Sequence, residues 1–491
     1  MLSGVIILPG RNGVKMLNDR LKGLTSTDRR VILSALIVAA GIADSKFTGV
    51  LDDFIAARVF GASRELDAYY AAFGLPDLLF TLIAGGALAA AFIPVFTDRL
   101  ASGDREGAWK LASSVINLAF LVTLAASALA ALIAPWLVRQ FIAPGFDPDQ
   151  HLLTANLMRL ILVSTAIFSV SGIVMSALQA NQHFFLPALA PVMYNLGIIG
   201  GAVFLTRPFT LNALQHLQIH VQPILSLGVY GLAAGVMIGA AMHLIIQVPG
   251  LIRFGAHWSP RLTFADPSLR RVLVLLGPRI LGLGVVQLTS VITTNLASRL
   301  EAGSVTSLAF AWRLMQIPET IIATAIGTAI FPTLSQLATQ RRHVELRVTM
   351  RKALGAILVL NIPAAVMLIV LGRFIAGLAF GRQNANTVAF ALQFYALGLV
   401  GHSALEVAAR TFYAQQDTRT PLAVATGAML ITVTACLVLM HPLSYGGLAL
   451  GNAIGFTVES GVLIWLMEKR LSQQVQKLQV QIKGGSHGRR E

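Results

Sequence analysis

The sequence predicts an all-α polytopic membrane protein with about twelve transmembrane helices, arranged as two parallel six-helix lobes around a central cavity. Three observations lead to this fold class: long apolar segments, an unequal distribution of basic residues between the connections, and motifs that recur in both halves. Of the 491 residues, 55% are hydrophobic and only 12% are charged. A soluble domain has about 25% charged residues, so neither a soluble enzyme nor a disordered protein is expected.

The apolar segments have the length of membrane spans. A helix needs about 20 mostly apolar residues to cross the hydrocarbon core of a bilayer, and twelve segments meet this requirement. The 43 glycines suit helices whose backbones approach closely, and no segment shows the strict alternation of barrel strands. The twelve segments are residues 30–58, 67–96, 111–137, 153–179, 185–206, 224–251, 271–298, 304–337, 353–380, 386–413, 421–440 and 446–467.

Lysine and arginine indicate the orientation. The connections on the side of the N-terminus contain 25 of them, whereas the opposite connections contain five. Basic residues accumulate in cytoplasmic loops, so we expect a multi-pass protein of the plasma membrane with both termini in the cytoplasm. The net charge of +15 is therefore mainly an orientation signal, and no nucleic-acid partner is expected.

This orientation divides the chain into five predicted regions. A basic cytoplasmic segment (1–29) precedes an N-terminal six-helix lobe (30–252), and a cytoplasmic linker (253–270) follows. The C-terminal six-helix lobe (271–468) leads into a basic cytoplasmic tail (469–491).

Two matching motifs indicate an internal repeat. Gly61 precedes Pro76 by the same spacing at which Gly303 precedes Pro318, and each proline is followed by an acidic residue. Each lobe has an even number of spans, so both enter the membrane the same way up, which is a transporter architecture with the substrate site between the lobes. Because proline interrupts helical hydrogen bonding, Pro76 and Pro318 are predicted hinges for alternating access.

Ionisable residues within the spans are the candidate site residues. Such groups are costly in a bilayer and usually face a cavity or a partner, so a hydrated path for a charged substrate or a coupling ion is predicted. The alternative is structural ion pairing between the lobes, or, for Arg58 and Asp67, a position at the membrane interface. The cationic candidates for substrate binding are Lys46, Arg58 and Arg313, and the acidic candidates for gating or ion coupling are Asp52, Asp53, Asp67, Asp77 and Glu319.

Motifs for catalysis are not found. The sequence has no nucleophile elbow, zinc-protease motif or nucleotide fingerprint, and its single cysteine, Cys436, excludes a disulfide framework and a cysteine zinc site. We therefore expect no enzymatic activity, no catalytic residue, no cofactor and no metal. Transport would then use an ion gradient, the membrane potential or downhill flow of the substrate.

Three stretches of the sequence resemble a known family. The first begins Ser45-Lys-Phe-Thr-Gly49 and ends Ala91-Phe-Ile-Pro94, the second runs from Arg313 to Pro332, and the third runs from Arg410 to Pro421. They resemble the MurJ/MviN family of lipid II flippases, within the multidrug/oligosaccharidyl-lipid/polysaccharide exporter superfamily. The resemblance extends over all twelve spans, about residues 30–470.

The resemblance implies a flippase of the bacterial plasma membrane. Its substrate would be a polyprenyl-diphosphate-linked peptidoglycan precursor, moved by alternating access for cell-wall synthesis. Lys46 and Arg313 would contact the diphosphate, and Asp53 and Asp67 would orient these cations or gate the path. The implied partners are this glycan lipid, the lipid bilayer and cell-wall synthesis proteins.

The sequence departs from the family pattern at several cavity positions. Lys46 and Asp52 both occupy positions where the family has arginine. The family's arginine two or three positions after Pro76-Asp77 is absent here. Typical members also have fourteen spans. Two alternatives therefore stay open: a cation- or proton-coupled exporter of small molecules or polysaccharides in the same superfamily, and a non-transporting membrane scaffold.

Overall fold

A computed structural model of the protein describes residues 26–83, 85–214, 217–263 and 266–487. We refer to the residues up to 263 as the first half and to those from 266 as the second half. The helices of the first half are α1 (Ser26–Phe60), α2 (Arg64–Ala72), α3 (Gly74–Ile83), α4 (Gly86–Ala101), α5 (Arg105–Leu132), α6 (Ala134–Leu137), α7 (Pro148–Ala180), α8 (Phe185–Phe204), α9 (Tyr230–Ile245) and α10 (Val248–Arg253). The helices of the second half are α11 (Pro267–Ala297), α12 (Ser304–Glu319), α13 (Ala325–Thr339), α14 (His343–Phe380), α15 (Ala385–Leu397), α16 (Leu399–Ala414) and α17 (Arg419–His487).

Each of the first ten predicted spans coincides with one helix or with consecutive helices, and the last two lie within one long helix. This agreement confirms the all-α polytopic fold class. The second span consists of α2, α3 and α4, and a π-helical turn (Thr320–Thr324) joins α12 to α13 within the eighth. By length and hydropathy, eight of the described helices or helix runs can cross a membrane, or nine if the bent pair of Arg382–Leu397 and Leu399–Ala414 is one span.

Helix α17 contains two spans. Ser444 interrupts it with φ 50° and ψ −137°, and the chain reverses direction there. The reversal is visible in the contacts, because Gly451 packs on Cys436 and Gly455 packs on Thr432. The two halves of α17 are therefore antiparallel neighbours, as the predicted eleventh and twelfth spans require.

A β-hairpin between α8 and α9 is an addition to the predicted fold. Strand β1 (Phe209–Leu214) pairs antiparallel with β2 (Leu217–Val221), with Phe209 opposite Val221. Apolar and polar residues alternate along both strands, which is the period expected of a strand. The strands are much shorter than a membrane span, so the prediction of spans from apolar length does not include them.

The internal repeat is visible in the backbone. Left-handed residues, with φ between 50° and 87°, occur at matching places in the two halves. They occupy the same connections in each half, and the backbone conformation is kept even where the residue type differs, since two of the glycines of the first half correspond to Arg341 and Ser444 in the second. The four matching pairs are Gly61 with Gly303, Gly103 with Arg341, Gln182 with Gln416, and Gly228 with Ser444.

Glycines allow the last two spans of the first half to pack closely. A Cβ atom built on Gly197 would lie 2.2 Å from Gly239 Cα, and one built on Gly201 would lie 2.5 Å from Gly235 Cα. Helices α8 and α9 therefore touch through their backbones, as small residues permit in membranes.

Several contacts join the two halves on the predicted outer side of the membrane. Ala62 N donates to Asn384 Oδ1 over 2.9 Å, and Asn295 Nδ2 donates to the Phe141 carbonyl over 2.6 Å. The stacked rings of Phe310 and Phe380, 4.1 Å apart, belong to a buried apolar cluster that includes residues of both halves. These contacts join the halves at the ends of their helices.

Asp67 contributes a hydrogen-bond network to the same region. Its carboxylate accepts hydrogen bonds from Gly303 N at 2.6 Å and from Thr306 N and Thr306 Oγ1, both at 2.7 Å. Gly303 precedes α12 and has no side chain that could cap the helix. Asp67 of α2, from the other half, caps α12 instead. This carboxylate is buried and links the halves.

We expect the substitution Asp67→Ala to destabilise the protein by about 1–3 kcal/mol, because it leaves three buried donors without their acceptor. Thermal unfolding of the purified protein in detergent measures the effect. Glu65→Ala is the control, since the Glu65–Arg207 pair is about half exposed and such pairs contribute about 0–1 kcal/mol. Equal losses for the two variants would contradict the capping role of Asp67.

Candidate functional site

A central cavity of about 820 Å³ lies between the two halves. Helices α1, α2, α3 and α8 line it from the first half, and α11, α12, α15, α16 and α17 line it from the second. Among the described residues, two cations and four acids line it: Lys46, Arg313, Asp52, Asp53, Asp77 and Glu459.

Arg313 pairs with two acids across the cavity. Its Nη1 atom on α12 lies 2.5 Å from Asp53 Oδ2 and 3.8 Å from Asp52 Oδ1 on α1. The side chain of Arg313 is 38% exposed, whereas those of Asp52 and Asp53 are 8% and 3% exposed. The guanidinium group therefore faces the cavity, with the carboxyl groups buried behind it.

Tyr70 supports this ion pair. Its hydroxyl group donates to Asp53 Oδ1 over 2.7 Å, and its ring centroid lies 5.7 Å from Arg313 Cζ. Asp53 thus contacts Tyr70 with one oxygen and Arg313 with the other. An arginine fixed at one edge keeps its remaining N–H groups available for a ligand.

Lys46 is the second cation of the cavity. It lies on α1, is exposed, and forms no ion pair with the residues that the structure describes. Asn195 of α8 holds the neighbouring backbone, because its Nδ2 atom donates to the Ser45 carbonyl and to Thr48 Oγ1, both over 2.8 Å. A flexible ammonium group thus extends from a fixed segment of helix.

Asp77 also lines the cavity, on α3, and its side chain is exposed there. Gln287 of α11 fixes the next turn of this helix, since its Nε2 atom donates to Thr81 Oγ1 over 2.6 Å. Five of the predicted site residues, Lys46, Asp52, Asp53, Asp77 and Arg313, therefore share one cavity.

The structure does not bring the other three predicted site residues to this cavity. Arg58 lies near the end of α1, with its Cζ atom 4.9 Å from the centroid of the Phe54 ring. Asp67 caps α12, as described above. Glu319 is buried in the second half, with its Oε1 atom 3.7 Å from His402 Nδ1.

Both predicted hinge prolines adjoin breaks in their helices. Pro76 lies in the first turn of α3, just after Phe73 separates α3 from α2. Pro318 lies in the last turn of α12, just before the π-helical turn. Proline and π-helical turns are common causes of kinks, and each half has a discontinuity beside its proline, before Pro76 in the first half and after Pro318 in the second.

Several cavity residues escape prediction from the sequence. Tyr70, Asn195 and Gln287 are single polar residues within apolar segments, and their roles depend on which helix packs opposite them. Only the three-dimensional arrangement brings Tyr70 to Asp53, 17 positions earlier in the chain. Glu459, by contrast, could be identified, because it is an ionisable residue within an apolar span.

Comparisons with known proteins agree with each other. The family model described as "Lipid II flippase MurJ" matches residues 56–483. The lipid II flippase MurJ of Burkholderia cenocepacia is 29% identical over 451 residues, covering 89% of this chain and 84% of that protein. A probable lipid II flippase MurJ of Rhizobium meliloti is also 29% identical, over 432 residues, covering 86% of this chain and 78% of that protein.

Solved structures share the fold. A lipid II flippase MurJ in an inward closed conformation superposes with a TM-score of 0.73 and 24% identity, covering 88% of this chain and 87% of that chain. An inward-facing multidrug resistance transporter of the MATE family superposes with a TM-score of 0.72 and 15% identity, covering 88% of this chain and 96% of that chain. At these identities the likeness concerns the fold alone.

Proposed function

Because this chain belongs to the lipid II flippase MurJ family, we propose that it moves lipid II, a polyprenyl-diphosphate-linked peptidoglycan precursor, from the inner to the outer leaflet of the plasma membrane. The observation that carries this proposal is the family match over residues 56–483. The cavity between the two halves gives the transported headgroup a place to bind.

The chemistry of the cavity supports binding of an anionic headgroup. Arg313 offers N–H groups whose planar arrangement suits phosphate oxygens, and Lys46 adds a mobile positive charge. Both line the same cavity. In the proposed complex, Arg313 donates hydrogen bonds to the diphosphate. Lys46 neutralises another oxygen of the diphosphate or a carboxylate of the peptide. Asp53 holds Arg313 in place.

The proposed mechanism is alternating access. In this mechanism the substrate enters the cavity from the cytoplasm while the contacts on the predicted outer side are intact. Opening of that side requires the Asp67 cap and the Ala62–Asn384 hydrogen bond to break, while bending at the breaks beside Pro76 and Pro318 closes the other side. Throughout, the lipid tail remains in the bilayer, so only the polar headgroup crosses through the protein.

Location and partners follow from this proposal. The protein would reside in the plasma membrane with both termini in the cytoplasm, where the precursor is made, and it would deliver the precursor to the cell-wall synthesis proteins outside. It translocates its substrate without altering it chemically, so no catalytic group is assigned.

Complementation tests the proposed function. A strain depleted of its own lipid II flippase should grow when this chain is expressed, and lipid II should become accessible at the outer leaflet of its cells. Immunoblotting of membranes verifies that the protein is present. Lysis of the cells despite normal amounts of membrane-inserted protein would contradict the proposal.

A further inference from the structure

Two adjacent buried carboxyl groups share one positive charge in the cavity. Asp52 and Asp53 both contact Arg313, at 3.8 Å and 2.5 Å. If both acids were ionised, the three side chains together would carry a charge of −1. A cluster with this charge, largely shielded from water, would repel the anionic headgroup that the proposed function brings to Arg313.

Among the side chains that the structure describes, none besides Arg313 brings a positive charge within 4 Å of Asp52. The titratable and charged groups around Asp52 come from five elements: Lys46 and Asp53 on α1, Tyr69 and Tyr70 on α2, Asp77 on α3, Tyr194 on α8 and Arg313 on α12. Lys46 points to the cavity from almost two turns away along α1.

The two carboxyl groups are also close to one another. Asp52 and Asp53 are consecutive residues of α1, and one oxygen of each lies within 4 Å of the same Arg313 Nη1 atom. Two ionised carboxylates held this near to each other in a buried site repel, and a proton on one of them removes the repulsion. Asp53 already accepts from Tyr70 and pairs closely with Arg313, which favours its ionised form. Asp52 has the longer contact and is the better proton carrier.

We propose that Asp52 is a proton-binding site coupled to the substrate: Asp52 carries a proton whenever the headgroup of lipid II is bound at Arg313. This inference rests on the proposed function and adds a second ligand, one proton, to its site. The protonated Asp52 leaves Arg313 paired with a single carboxylate, so the cluster no longer repels the diphosphate. Asp53 acts as the positioning residue for Arg313.

Binding of lipid II to the full-length chain in nanodiscs, measured across pH, tests the coupling. Above the pKa of Asp52 in the free protein, each additional pH unit should weaken binding by up to about tenfold, since one proton must be taken up for the lipid to bind. Asp52→Asn mimics the protonated acid and should bind with little dependence on pH. Glu459→Gln removes another carboxyl group from the same cavity, on α17, and should keep the pH slope of the wild type.

A second measurement avoids dependence on the variant. Lipid II is added to the wild-type protein in weak buffer at a pH above the pKa of Asp52 in the free protein. The protein should then take up as much as one proton per lipid bound, as recorded with a pH-indicator dye. Absence of proton uptake there, or a wild-type slope retained by Asp52→Asn, overturns the inference. A wild-type chain that binds no lipid II at any pH overturns the proposed function and this inference with it.

Discussion

Replacing Arg313 with alanine is expected to abolish growth of the flippase-depleted strain and to weaken lipid II binding by about 100-fold or more. The substitution removes charge-assisted hydrogen bonds to the diphosphate, which are worth about 1.5–3 kcal/mol each. It also leaves Asp52 and Asp53 buried without the cation that both of them contact. Growth curves and binding isotherms provide the measurements.

Two further variants separate binding from folding. Arg313→Lys keeps the charge, and therefore keeps Asp53 paired, but loses the planar fork, so partial activity is expected. Arg382→Ala removes an exposed arginine from a connection outside the cavity and should leave growth and binding unchanged. Full growth with a folded Arg313→Ala protein would remove Arg313 from the mechanism.

Replacing Gly201 with alanine is expected to destabilise the protein by about 1–3 kcal/mol, as overpacking does. The added Cβ atom would lie 2.5 Å from Gly235 Cα and 2.6 Å from the Gly231 carbonyl oxygen, so α8 and α9 must separate. The neighbouring Gly200 faces open space, with nothing within 4 Å of its added Cβ. Gly200→Ala should be neutral or should gain as much as about 1 kcal/mol from its higher helix propensity.

These adjacent positions form a matched pair. Both substitutions add one methyl group to the same helix, one residue apart, so any effect of composition or expression cancels. Thermal unfolding midpoints in one detergent should fall for Gly201→Ala and should stay equal or rise for Gly200→Ala. If the midpoints of both variants fell by the same amount, the close contact of α8 and α9 at Gly201 would not be the cause of the loss of stability.

The spans could be predicted from the sequence because their cause is local. An apolar run long enough to cross a bilayer can be recognised from consecutive residues alone. The basic residues of each connection indicate on which side of the membrane that connection lies. The breaks within spans are less local. Pro76 predicts a break in the second span, but the sequence does not fix its exact position at Phe73, between α2 and α3.

The candidate site was predictable as a list of residues, but its pairings were not. Ionisable groups in apolar segments identified Lys46, Asp53 and Arg313, which all reach the cavity. Their geometry depends on which faces of α1 and α12 meet, and this is decided by packing throughout the molecule. Arg58 shows the limit of such reasoning, because its position near the end of α1 takes it away from the cavity although its charge suits the substrate.

The paired left-handed turns also have an evolutionary consequence. Duplication and fusion of one six-helix unit would account for these pairs, and such a unit would enclose the cavity by pairing with a second copy of itself. In such a homodimer every charge would occur twice. When Gly61 is aligned with Gly303, Arg313 corresponds to Ala71 of the first half, so its charge has no symmetric copy. Fusion of the two units into one chain thus freed them to diverge and to fit a substrate that itself has no symmetry.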